Sequence, residues 1–62
     1  MSNKYEVLID DGTSQFVSAD GYVYTDNGRM VDFIVMNNRR QMEIVDSFSI
    51  YHIVKIKCTN GD

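Results

Sequence analysis

The sequence predicts an all-β domain, a small five-stranded meander with one short helical turn before the last strand. Three observations carry that expectation. Runs of 4 to 9 residues rich in Val, Ile, Tyr, Phe and Thr follow one another along the chain, with the length and composition of strands. Every break between them is Gly, Asn or Asp: Asp10-Asp11-Gly12, Asp20-Gly21, Asp26-Asn27-Gly28, Asn37-Asn38 and Asn60-Gly61-Asp62. Proline is absent, and apolar residues within the runs recur at every second position.

The first run, Lys4 to Asp10, sets Tyr5, Val7 and Ile9 on one face and Glu6, Leu8 and Asp10 on the other. Asp11-Gly12 suits a two-residue turn, since glycine takes positive φ without a steric penalty. Such a loop puts Ile9 opposite Ser14 and Val7 opposite Phe16, so Val7, Ile9 and Phe16 share a face. Asn27-Gly28 is the stronger hairpin signal. It pairs Asp26 with Arg29, Tyr24 with Val31 and Tyr22 with Phe33, with opposite charges facing each other beside the turn. Tyr22, Tyr24, Val31, Phe33 and Val35 then form a core face.

Asn37-Asn38 closes a third hairpin, because Asn tolerates the left-handed region. Its register sets Phe33 opposite Met42 and Val31 opposite Ile44. After Val45 the alternation breaks, and Asp46 to Tyr51 reads as a helical turn capped by Asp46 or Ser47. The last strand, about His52 to Cys58, alternates His52, Val54, Ile56 and Cys58 against Ile53, Lys55 and Lys57. Its lysine face meets water.

Composition narrows the function. A chain of 62 residues is expected to form one small β domain (1–62) with a thin core. One cysteine and one histidine make neither an intrachain disulfide nor a four-ligand zinc site. An apolar share of 44% with a net charge of only -3 is too rich for a disordered segment. No run approaches the roughly 18 apolar residues of a membrane span, and MSNKYEV has no signal-peptide character, so the expected location is the cytoplasm, where a free Cys58 stays reduced. Mild acidity disfavours a general nucleic-acid binder.

Catalytic groups are not expected. On one straight strand His52 and Cys58 stand about 20 Å apart, too far for proton transfer. The paired aspartates belong to turns, the spacing of a calcium loop is absent, and no glycine-rich phosphate loop occurs. No catalytic, cofactor-binding or metal-binding residue, and no cofactor, is therefore assigned. Two surfaces remain. Met30, Ile34 and Met36 lie opposite the apolar face of their own strand, so both faces are buried, by a curled barrel or by an interface. The leading reading is a non-enzymatic protein-interaction module, a homodimer through those three residues. Its alternative is a small-barrel nucleic-acid or nucleotide binder using Arg39, Arg40, Lys55 and Lys57, with Tyr22, Tyr24 and Tyr51 as nearby aromatics.

A meander with a short helical turn ahead of its final strand resembles an SH3-like barrel. The cadence of Val31 and Phe33, a middle hairpin, Phe48, then Ile53 and Ile56 resembles very small proteins of unassigned role encoded by bacteriophages and Gram-positive bacteria. The resemblance spans about Tyr5 to Lys57 and rests on apolar periodicity and turns. It implies an inhibitor or modulator of a host protein, acting in the host cytoplasm. It transfers no functional residue. The chain has no tryptophan, and Tyr5 does not match the aromatic pocket of peptide-binding SH3 domains.

Overall fold

The strand runs of the sequence all form strands. In the computed structural model, which describes residues 3–59, they are β1 (Asn3–Ile9), β2 (Ser14–Ala19), β3 (Gly21–Thr25), β4 (Met30–Met36), β5 (Met42–Ser49) and β6 (Ile53–Cys58). A 3₁₀ turn, Ile50–His52, precedes β6. The expected turn at Asn60-Gly61-Asp62 lies outside the described residues. Two antiparallel three-stranded sheets result, ordered β2-β1-β6 and β3-β4-β5.

The class is all-β, but there are six strands rather than five, and they do not run as a simple meander. The sixth arises at Asp20. Its N–H donates to the Ile34 carbonyl at 2.8 Å, and its carboxylate accepts from the Met36 N–H at 2.7 Å. The chain therefore leaves β1 and joins β4 at that residue. The last strand returns to pair with the first, Val7 facing Ile56.

Between the sheets, Tyr5, Val7, Val17 and Ala19 meet Val31 and Phe33, all buried. Phe33 is the hub. Its ring centroid lies 5.3 Å from Tyr5, 5.5 Å from Tyr22 and 5.8 Å from Phe48. The pairs are tilted or edge-on, the arrangements that ring quadrupoles favour.

The first hairpin departs from the expected register by one residue. Leu8 faces Ser14 and Glu6 faces Phe16. The loop exceeds two residues because Ile9 N donates to the Thr13 carbonyl at 2.8 Å. Asp11 builds it: its carboxylate accepts from the Thr13 hydroxyl at 2.6 Å and the Thr13 amide at 2.9 Å. With alternating side chains, the slip turns Val17 and Ala19 inward and leaves Phe16 outside, 64% exposed.

Thr13's hydroxyl, then its amide, hold the Asp11 carboxyl below its ordinary range. Its folded-state value is thus depressed, so this contribution is present above the unfolded value of about 3.9 and is lost as pH falls through the lower folded one. An NMR titration should show the Asp11 carboxyl and the Thr13 amide moving together, with a midpoint below that of Asp11→Glu. A midpoint no lower than that of an unstructured peptide of the same residues would remove the loop account.

The second hairpin matches its expected register, with Tyr22 facing Phe33 and Tyr24 facing Val31. The ladder ends at Thr25 and Met30, and Asp26 and Arg29 are joined through the backbone, Arg29 N to Asp26 O at 3.1 Å. No ion pair forms between their side chains among the described residues. Tyr24 is not core, being 59% exposed.

The third hairpin overturns the sequence reading. Met42 faces Met36 and Ile44 faces Ile34, instead of Phe33 and Val31. Asn37 is the cause, acting through its side chain rather than through left-handed backbone. Its Oδ1 accepts from the amides of Arg39 (2.8 Å) and Gln41 (3.0 Å), and its amide group donates to Glu43 at 2.9 Å. The left-handed residue is Arg40, at φ 60°. β5 also continues to Ser49 through the segment expected to be helical. A bulge leaves Val45 without a cross-strand partner, Phe48 comes opposite Val31, and Ser49 replaces Asp46 and Ser47 as the cap, its hydroxyl accepting from Tyr51 N at 3.3 Å.

In β6 a second bulge separates Leu8–Lys55 from Ile9–Ile53, leaving Val54 unpaired. It lets Ile53 and Ile56 both pack against the core despite their odd spacing. His52 is the last residue of the 3₁₀ turn, not the start of the strand.

Candidate functional site

The third hairpin determines what the β3-β4-β5 sheet presents on its outer face. Residues paired across strands share a face, so Ile34 and Ile44, and Met36 and Met42, lie side by side away from the core. Gly21 and Val23 of β3 flank them, opposite Ile34 and Asp32. Met42 is 64% exposed, Ile44 61% and Met36 50%; Met30 and Ile34 are half-buried. The three residues expected at an interface therefore sit together on one face. Met42 and Ile44 were missed because they were assigned to the core. The available signal of a longer loop was Asn37 itself, whose side chain can accept from main-chain amides two and four residues on.

One carboxylate lies within this apolar field. Asp32 is 9% exposed, and its oxygens accept from the Thr25 hydroxyl at 3.1 Å on one side and the Ser47 hydroxyl at 2.8 Å on the other. With both oxygens bonded, covering Asp32 costs less than covering a bare carboxylate.

β5 is an edge strand, and its outer side has no strand beside it among the described residues. Such edges are normally protected by lysine or proline. β6, one edge of the other sheet, carries Lys55 and Lys57; β5 carries neither lysine nor proline, and its protection is limited to Glu43, Asp46 and the bulge at Val45.

The four basic residues considered for nucleic acid do not form one patch. Arg39 and Arg40 lie in the β4–β5 loop, whereas Lys55 and Lys57 lie on the outer face of the other sheet, opposite Leu8 and Glu6. Of the aromatics, Tyr22 packs on Tyr5 and Phe33, while Tyr24 and Tyr51 are exposed. Glu6, Leu8, Ser14, Lys55 and Lys57 line a shallow open cavity of about 180 Å³.

His52 Nδ1 lies 3.4 Å from the Asp10 carboxylate, both side chains being exposed. Cys58 is exposed at the far end of β6, opposite Tyr5. Among the described residues, no three His, Cys, Asp or Glu side chains come together to hold a metal ion, and no helix is long and apolar enough to cross a membrane. Comparison with protein-family models, with curated proteins and with solved structures gives no match.

Proposed function

We propose that the chain is a non-enzymatic interaction module that works as a homodimer, joined through the outer face of β3-β4-β5 and the free edge of β5. The observation that carries this reading is the apolar band of Ile34, Met36, Met42 and Ile44 ending at an edge strand without lysine or proline. Burial within one chain is incomplete: among the described residues six apolar side chains are buried, while nine large ones stay exposed. A symmetric partner suits this face, because one self-complementary band packed face to face on its two-fold copy covers both bands at once and closes the assembly, with the β5 edge at the rim of the contact. Covering that surface gains about 25 cal/mol for each square ångström of apolar area. An interface of roughly 800 Å² per partner would take less than a fifth of the 4556 Å² exposed.

The architecture behind this module is read as an SH3-like barrel. Its support is the chain path: β2 and β3 act as one strand bent at Asp20, and a 3₁₀ turn leads into a last strand that returns to the first.

Light scattering coupled to gel filtration at micromolar concentration should give twice the chain mass. Ile44→Asp should shift it to one chain mass with the fold intact, since Ile44 is 61% exposed within a single chain and a carboxylate resists burial against a second copy. Arg39→Ala should leave the dimer in place. A single-chain mass for the native protein across a wide dilution series would sink the homodimer. It would leave the band to a different protein, the arrangement in which a phage-encoded chain modulates a host target.

A further inference from the structure

The outer face of the other sheet carries a different chemistry. Strand pairing builds it in three rows: Ser18 beside Lys4, Phe16 beside Glu6 beside Lys57, and Ser14 beside Leu8 beside Lys55. All three lysines of the chain are on it. Against them stands one acid within the strands, Glu6; Asp10 and Asp11 lie beyond the face in the loop, Asp10 against His52 and Asp11 bonded to Thr13. The face therefore carries two net positive charges in a chain whose formal charge is -3. Phe16, in the middle row, is 64% exposed, and the cavity bordered by Lys55 and Lys57 opens on the same face.

We infer that this face binds single-stranded nucleic acid, with Phe16 stacking on a base and Lys4, Lys55 and Lys57 pairing with phosphates. Lys55 and Lys57, two residues apart on one strand, project about 7 Å from each other, a repeat suited to successive phosphates of an extended strand. An unpaired base offers a ring face to Phe16; a duplex keeps its bases stacked inside. An acidic peptide fits less well. Protein contacts concentrate their energy in an apolar centre, and here only half-buried Leu8 accompanies Phe16. The inference does not rest on the dimer, whose band lies on the other sheet.

Anisotropy of a fluorescent oligothymidylate of about 12 nucleotides tests it, a length within the roughly 4–16 nucleotides that one OB fold covers. Binding should appear at low salt and weaken with a log–log slope near −2, at about 0.7 for each of three phosphates neutralised. Lys57→Gln should reduce that slope by about 0.7. Phe16→Ala should weaken binding roughly tenfold through lost stacking. Arg39→Gln, on the far loop, should change neither. All three variants should keep the native mass by light scattering, which separates failure here from failure of the dimer. Absence of binding at low salt would overturn the inference, as would duplex of equal length binding as well as the single strand. Equal competition by polyglutamate, or an unchanged affinity in Phe16→Ala, would overturn it too, by reducing the face to a general anion attractor.

Discussion

Phe33→Ala is expected to cost about 3–5 kcal/mol, the usual range for truncating a buried aromatic. Phe33 is fully buried, and its ring is within 6 Å of the centroids of Tyr5, Tyr22 and Phe48. Truncation opens a cavity at the junction of both sheets and removes three ring pairs at once. Each pair is worth about 0.5–1.5 kcal/mol beyond area burial. A domain of this length holds on the order of 3–9 kcal/mol altogether, so the alanine variant should lose about a third or more of its stability. Phe33→Leu keeps most of the volume and should remain folded, with a urea midpoint lowered measurably at fixed protein concentration. Fixing the concentration matters, because a dimer gains stability by mass action. A Phe33→Ala midpoint close to native would mean that the sheets are not held through this ring.

How far the sequence leads is decided by turns, not by strands. Alternation placed Tyr5, Val7, Val31 and Phe33 in the core, and there they are. The second hairpin was legible because Asn27-Gly28 needs left-handed backbone, and the residues around it supply it. The other two hairpins are built by side chains that reach back to the main chain. Asp11 bonds Thr13, and Asn37 bonds Arg39 and Gln41. Period-two patterning is blind to such bonds, yet each adds residues to a loop, and an odd shift reverses every side chain that follows.

The same shift explains what was legible of the surfaces. Met30, Ile34 and Met36 were identified as a second apolar face from their own strand alone, which needs no register. Met42 and Ile44, which complete the band, needed the β4–β5 register and were placed on the wrong side. Phe16 was lost to the lysine face in the same way. Lys4 joins Lys55 and Lys57 only once β6 is known to pair with β1, a contact between chain ends that no local pattern contains.

Gly28→Val should destabilise the fold by about 1–3 kcal/mol, the cost of holding a β-branched residue in a sparsely populated backbone region. Gly28 sits at φ +83°, and a Cβ built there meets nothing within 4 Å. Space is available, so the penalty is backbone alone. The turn is already demanding, since Asp26 and Asn27 precede it at φ 53° and 57°. Those two types are among the few with a Cβ that enter this region readily; valine at a third consecutive position has no such tolerance. Relief is blocked on both sides: Gly28 N donates to the Thr25 carbonyl, and Ile50 N donates to the Arg29 carbonyl, tying the turn to the 3₁₀ segment. Gly21 supplies the control. It also has open space around its Cβ position but no positive φ, so Gly21→Ala should bring no backbone penalty and, measured in the monomeric Ile44→Asp background, should not lower the urea midpoint. Equal losses in the two variants would show that space, not backbone conformation, governs these positions.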